Sequence, residues 1–299
     1  NDNIGWRGIF LYASSSNTLR NNTCNGNGDG ISIYSRSDVF STDNKIHNNT
    51  CVLNTFNGIN VQAYSDGTII TNNTCNDNEF SGVQMSGSSN CRIANNTGLR
   101  NVDGLSFSDT NIENVIDNND FSDNTRYGIY IGESIGSSVT NNTCVGNVQM
   151  GIRVNNFHSG SIVNNTGNEN GVGIYLTSSN DNVVSRNNCS LNTADTGSNH
   201  GIWLTSSLRN TITNNTCDQN GDSGIYLGYS NDNVLTNNSC SGNPDAGVFL
   251  YYADSSVLHN NTLNANGYGI KVDHSYDLVI VENEIHENVY GMELYGADG

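Results

Sequence analysis

The six histidines of this chain are His47, His158, His200, His259, His274 and His286. They form no cluster. His47 and His259 share a place in the repeat described below but lie nine coils apart, roughly 40 Å. Copper or zinc held by imidazole needs ligands that converge on one point, so no metal site is expected. The eight cysteines include no Cys-x-x-Cys pair. Proton abstraction from a sugar acid needs several Asp around calcium plus an Arg or Lys base. The nearest approximation is Lys271, Asp273 and Glu293, with His274 beside them. They would make one polar patch, and a solvated end of the fold is the favoured explanation. A stronger signal is aromatic: Tyr130, Tyr175, Trp203, Tyr226 and Phe249 recur at one position, the last four in consecutive repeats. Aromatic faces stack on apolar surfaces such as sugar rings, and an exposed apolar stripe marks an interaction site. Cross-strand packing and protein–protein assembly are the competing explanations.

The elements that position these residues follow from one repeat. A motif of Gly, aliphatic, any residue, aliphatic or aromatic begins at Gly8, Gly30, Gly58, Gly82, Gly104, Gly128, Gly151, Gly173, Gly201, Gly224, Gly247, Gly269 and Gly291. Self-similarity at a period of 22–28 residues signals a solenoid. Alternation at period two after each Gly predicts a short strand with two side chains inside. A second apolar line runs from Leu19 and Ile46 to Ile280, and a third from Cys24 and Cys51 to Ile285. Asn and Gly break the chain every few residues and suit turns, not helix interiors. Three short strands per turn predict an all-β, single-stranded, parallel β-helix of about 12 coils, right-handed because crossovers between parallel strands almost always are. No composition shift interrupts it, so residues 1–299 read as one domain, whose uncapped ends imply either a fragment of a longer chain or docking on neighbours.

Two Asn lines accompany the third apolar line without a break. One runs from Asn22 and Asn49 to Asn283, the other from Asn27 and Asn54 to Asn288. Asn tolerates left-handed backbone at a bend, and its amide can donate to the Asn one coil away. Stacked amides would hold the bends while aliphatics and cysteines fill the interior. Seven of the eight cysteines lie on the third line and Cys91 does not. Stacked cysteines have parallel Cβ vectors, which is poor disulfide geometry, so buried reduced thiols are expected. Asn-x-Ser/Thr sequons at Asn21, Asn48, Asn72, Asn95, Asn141, Asn164, Asn214, Asn237 and Asn260 share one offset. In an organism that glycosylates Asn, one edge would carry glycans. The repeat itself also generates these sequons.

Composition narrows the partners. The chain has 299 residues, 56 of them Asn, with 34% hydrophobic residues and a net charge of −18. Phosphate backbones need Lys and Arg, so no nucleic-acid partner is expected. No apolar run approaches the roughly 18–20 residues of a membrane span. No signal peptide is visible at Asn1, and the first residues read as a chain already processed.

The blocks Gly-Ile-Tyr-Leu-Thr-Ser-Ser-Asn-Asp-Asn (173–182) and Gly-Ile-Trp-Leu-Thr-Ser-Ser-Leu-Arg-Asn-Thr-Ile-Thr-Asn-Asn-Thr-Cys (201–217) resemble right-handed parallel β-helix repeats. The chain is similar to NosD-like repeat proteins and to related surface proteins of methanogenic archaea. The resemblance covers Gly8 to Gly299 and implies fold strongly, function weakly, since the scaffold carries lyases, epimerases, tailspikes, copper-delivery proteins and surface-layer components. In sugar-binding members the first-strand face carries the polysaccharide groove. This implies Tyr130, Tyr175, Trp203, Tyr226 and Phe249 as a platform, with the segment Thr193 to His200 as a wall. The mannuronan-epimerase signature Asp-Pro-His-Asp is absent, the only proline being Pro244. The leading expectation is an extracellular or cell-surface structural or assembly module without catalysis or cofactor. Its partners would be neighbouring copies or other surface proteins. The alternative is a carbohydrate-binding or carbohydrate-active β-helix.

Overall fold

The computed structural model describes residues 6–194 and 197–296. All regular structure among them is β, in strands of two to six residues. Two compact units are present, Asn1–Asn147 and Val148–Gly299.

In the first unit, the strands Ile9–Tyr12, Ile31–Tyr34, Ile59–Val61, Ser81–Ser86, Asp103–Ser108 and Tyr127–Ile131 pair in parallel, in chain order. A second sheet is formed by Thr18–Arg20, Lys45–His47, Ile69–Thr71, Arg92–Ala94, Val115–Asp117 and Ser138–Thr140. A third side is closed by single parallel bridges from Thr23 through Thr50, Thr74, Thr97 and Asp120 to Thr143. The second unit repeats the scheme. Its first strands are Met150–Asn155, Val172–Thr177, Ile202–Thr205, Ile225–Gly228, Ala246–Tyr251, Tyr268–Asp273 and Tyr290–Tyr295. Its second strands run from Ser161–Val163 to Val279–Val281. Each strand therefore lies beside its own repeat one coil on, which is a parallel β-solenoid.

Register stacks like on like. Ile174, Ile202, Ile225, Val248 and Ile270 are mutual neighbours, all fully buried. Each such side chain contributes about 1.5–3 kcal/mol. The glycine opening each motif sits where the coil is narrowest. A Cβ on Gly30 would lie 2.5 Å from the Gly58 carbonyl oxygen and 2.9 Å from Cys51 Cβ. Where Phe121 replaces cysteine on the third line, Gly98 on the previous coil leaves the space its ring occupies.

Both Asn ladders form. In the second unit Asn165, Asn187, Asn215, Asn238 and Asn261 each direct their backbone N–H and Nδ2 to the next Oδ1, at 2.9–3.0 Å. The first unit does the same from Asn22 to Asn142 and from Asn27 to Asn147. Two further polar columns escaped sequence reasoning: Asn182–Asn210–Asn233 and Ser179–Ser207–Ser230.

One expectation is corrected. The ladder Asn are not the left-handed residues; the residue before each of them is. The nine asparagines of the Asn-Asn-Thr/Ser corners named above adopt φ of 55–57° and are exposed. The sharp left-handed step turns the following amide inward, so one Asn makes the corner and the next makes the ladder.

All eight cysteines are free thiols and buried. Burial and the neighbouring thiols Cys189 and Cys240 raise the Cys217 pKa well above the usual thiol range. Cys91 lies off the file, its Sγ facing the carbonyls of Ser89 (3.4 Å) and Ser65 (3.7 Å). Burial pushes its thiol up to about 12.

Candidate functional site

At the outward position of the first strand neither interior nor ladder dictates the residue. In the second unit it holds Tyr175, Trp203, Tyr226 and Phe249 in direct register. Tyr175 and Trp203 lie 4.5 Å apart, tilted by 39°. Trp203 meets Tyr226 edge-on at 6.0 Å, and Tyr226 meets Phe249 edge-on at 5.1 Å. Lys271 follows, its ammonium 4.4 Å from the Phe249 ring centre.

His200, which the sequence places only at the end of the expected wall segment, organises this file. His200 is buried. It stacks on Tyr226 at 4.9 Å and 14° and stands edge-on to Trp203 at 5.3 Å. Its Nδ1 accepts the Ser223 N–H at 3.2 Å, which leaves Nε2 to carry the proton of the neutral ring. Burial lowers its pKa below 6.5, against the pull of Asp222 and Asp245. Asp245 accepts from Ser223 Oγ (2.8 Å) and Lys271 Nζ (2.9 Å). Asp222 accepts the Asn199 N–H. Burial also raises the Tyr226 pKa, so its hydroxyl stays protonated at neutral pH.

Trp203 borders a cleft of about 380 Å³, lined also by Gln149, Met150, Val172 and Ser198. This lies within the size range of ligand clefts. The Trp203 indole N–H is enclosed and has no hydrogen-bond partner among the described residues. Of the segment Thr193 to His200, Ser198 lines the cleft and His200 packs behind the rings, while residues 195 and 196 lie outside the described residues.

A second aromatic file was missed. Tyr229, Tyr252 and His274 stack in consecutive coils, at 5.3 Å and 5.1 Å with planes within 7° and 11° of parallel. All three have positive φ (53°, 49° and 51°), a conformation uncommon for bulky residues. Tyr251 stands edge-on to both tyrosines, and the neighbouring Tyr229 phenol pushes its own up to about 12. The 23- and 22-residue spacing of these three is visible in the sequence, outside the apolar and Asn lines that mark the repeat.

Tyr130 belongs to the first unit, where it stacks on Tyr127 at 5.8 Å. Arg126 lies over the Tyr127 ring and holds buried Asp103 with two hydrogen bonds. They border a groove of about 240 Å³ lined by Asn57, Ser81, Gln84 and Ser106. Lys271, Asp273 and Glu293 do line one hollow, of about 150 Å³. Two of the three charges are engaged: Lys271 with Asp245, and Asp273 with His274 Nδ1 at 2.5 Å.

Comparison with known proteins places these features. Residues 2–143 match the right-handed beta helix region family, and residues 151–298 match the periplasmic copper-binding protein (NosD) family. No curated protein matches the sequence. Among solved structures, a double mutant of the periplasmic alginate epimerase AlgG superposes with a TM-score of 0.63 at 16% identity, over 90% of this chain and 77% of that one. The catalytic domain of a GH87 alpha-1,3-glucanase, solved with tetrasaccharides, gives 0.61 at 13%, over 97% and 64%. The A-module of the Azotobacter vinelandii mannuronan C-5 epimerase AlgE6 gives 0.59 at 14%, over 99% and 90%. At these identities the likeness is one of fold.

The residues here do not fit a copper site of convergent ligands. No three His, Cys, Asp or Glu among the described residues come together. Cys189, Cys217 and Cys240 are stacked in line inside the coil rather than around one point, and burial opposes the thiolate form of Cys217 that ligation requires.

Proposed function

We propose that this right-handed parallel β-helix repeat protein, NosD-like over its second unit, binds polysaccharide on the aromatic first-strand face of that unit, outside the cytoplasm and without cleaving it. The carrying observation is the uninterrupted file Tyr175–Trp203–Tyr226–Phe249 beside the cleft at Trp203. Rings at one-coil steps match the apolar faces of successive sugars in an extended chain. The polysaccharide-acting names of the structural neighbours support the ligand class. The periplasmic description of the matched family, and the lack of any helix long and apolar enough to cross a membrane among the described residues, agree with an extracellular or cell-surface site. Binding without chemistry is favoured because Lys271 is ion-paired with Asp245 and Asp273 is hydrogen-bonded to His274.

Assembly with neighbouring copies or other surface proteins is a second reading, supported by the exposed Tyr229–Tyr252 stack. The Trp203→Ala variant separates the two. Affinity electrophoresis against a polysaccharide panel should show binding weakened about tenfold or more, as for a central aromatic anchor, with sedimentation unchanged. Unaltered polysaccharide binding by Trp203→Ala refutes the proposal.

A further inference from the structure

The charged groups bordering the aromatic face are unevenly matched. Arg153 lies over the Tyr175 ring, and Lys271 over Phe249. Against these two cations stand four carboxylates. Asp222 and Asp245 act on His200, Asp245 and Asp273 act on Tyr226, and Glu293 pairs in register with Lys271. Lys271 is already bound to Asp245 at 2.9 Å. His200, stacked on Tyr226, is held neutral by burial, and His274 is engaged by Asp273, at 2.5 Å. In the first unit Arg126 is likewise committed to buried Asp103. The whole chain carries −18.

A polyuronate or sulfated chain brings one charge per sugar or more. Recognising it requires cations free to meet carboxylate or sulfate, and an acidic surround repels it over about 10 Å at moderate salt. A neutral chain meets no such barrier. Its hydroxyls find carboxylate and amide acceptors at the rim while its apolar ring faces meet Trp203 and Tyr226. Resting on the polysaccharide-binding reading, we infer that the ligand of this face is an uncharged hexose polymer and that polyuronates are excluded, unlike the alginate named for the epimerases of similar fold.

The test uses the full chain against soluble neutral glucans and mannans and against alginate, at about 20 mM and about 300 mM salt, each with wild type and Trp203→Ala. Expected is Trp203-dependent binding of at least one neutral polymer, changing less than about twofold with salt, and alginate binding at least about tenfold weaker. Neutralising the rim should admit the polyanion: Asp245→Asn, which releases Lys271, should raise alginate binding about tenfold. Glu293→Gln, which leaves the Asp245 bonds intact, should raise it in the same direction. Trp203-dependent alginate binding as strong as that of any neutral polymer overturns the inference and leaves the polysaccharide reading standing. No gain from either variant also overturns it. If no polymer binds in a Trp203-dependent way, the polysaccharide reading fails and this inference with it.

Discussion

Asn215→Ala should destabilise the second unit far more than Asn214→Ala, its neighbour in the same corner. The Asn215 side chain is buried and fully used. Its Oδ1 accepts both the backbone N–H and Nδ2 of Asn187, each at 3.0 Å. Its Nδ2 donates to the Val184 carbonyl at 2.9 Å and to Asn238 Oδ1 at 3.0 Å. Truncation strands the Asn187 N–H in a dry interior, at about 1–3 kcal/mol. Asn187 Nδ2 keeps the Ile162 carbonyl, and Asn238 Oδ1 keeps the Asn215 N–H, so those losses are partial, about 0.5–1.5 kcal/mol each. The sum is about 2–6 kcal/mol. Asn214 is exposed and left-handed (φ 56°). Replacing it with alanine costs the steric penalty of that conformation, about 1 kcal/mol. Equilibrium urea unfolding, followed by circular dichroism and by tryptophan fluorescence, gives both values. Trp203 lies on the coil of Asn215 and reports local opening, which a repeat architecture permits. Equal destabilisation by the two variants would show that the ladder amides contribute no more than the corners, and the account of this fold would be wrong.

Stability should fall as pH drops from about 6.5, the unfolded histidine value, toward the lower pKa of buried His200. Folding favours its neutral form, so protons taken up by the unfolded chain in that window cost stability. His200→Gln should flatten the urea midpoint between about pH 7 and pH 5, and a midpoint falling as steeply as in wild type would contradict the assignment. A separate loss belongs below the ordinary carboxylate value of 3.8, because Asp77 and Asp117 are held lower by Arg100 and by Asn141, Thr140 and Arg92. Gly224→Ala should cost about 2 kcal/mol or more by overpacking, since the new Cβ would meet Cys240 Cβ at 2.6 Å and the Gly247 carbonyl oxygen at 2.7 Å; a thermal midpoint within error of wild type would contradict the narrow-coil explanation.

The architecture was legible because a solenoid is specified locally, repeat by repeat. The glycine period, the apolar lines and the two Asn lines each correspond to one column of the structure. What failed was the division of labour inside Asn-Asn. Both residues suit a bend, and only coordinates reveal that the first turns left-handed while the second points inward. The serine column at Ser179, Ser207 and Ser230 was hidden because serine in a turn-rich chain reads as solvated loop.

The candidate site was legible where it obeys the repeat and hidden where it departs from it. Tyr175, Trp203, Tyr226 and Phe249 could be read off by counting from each glycine. His200 lies just ahead of Gly201, at the end of a 28-residue spacing between motif glycines, so counting does not reach it. Yet it fills the space between Trp203 and Tyr226 that sets them nearly perpendicular. Tyr229, Tyr252 and His274 obey the period but break the rule for the corner, placing rings where other coils have Ser178, Ser206 or Gly296. A left-handed bulky residue carries strain of about 1–3 kcal/mol that folding does not require. In the second unit three in succession lie beside four outward rings whose identity neither core nor ladder dictates. Selection for folding alone leaves such positions free, and a surface function is the economical explanation for their agreement.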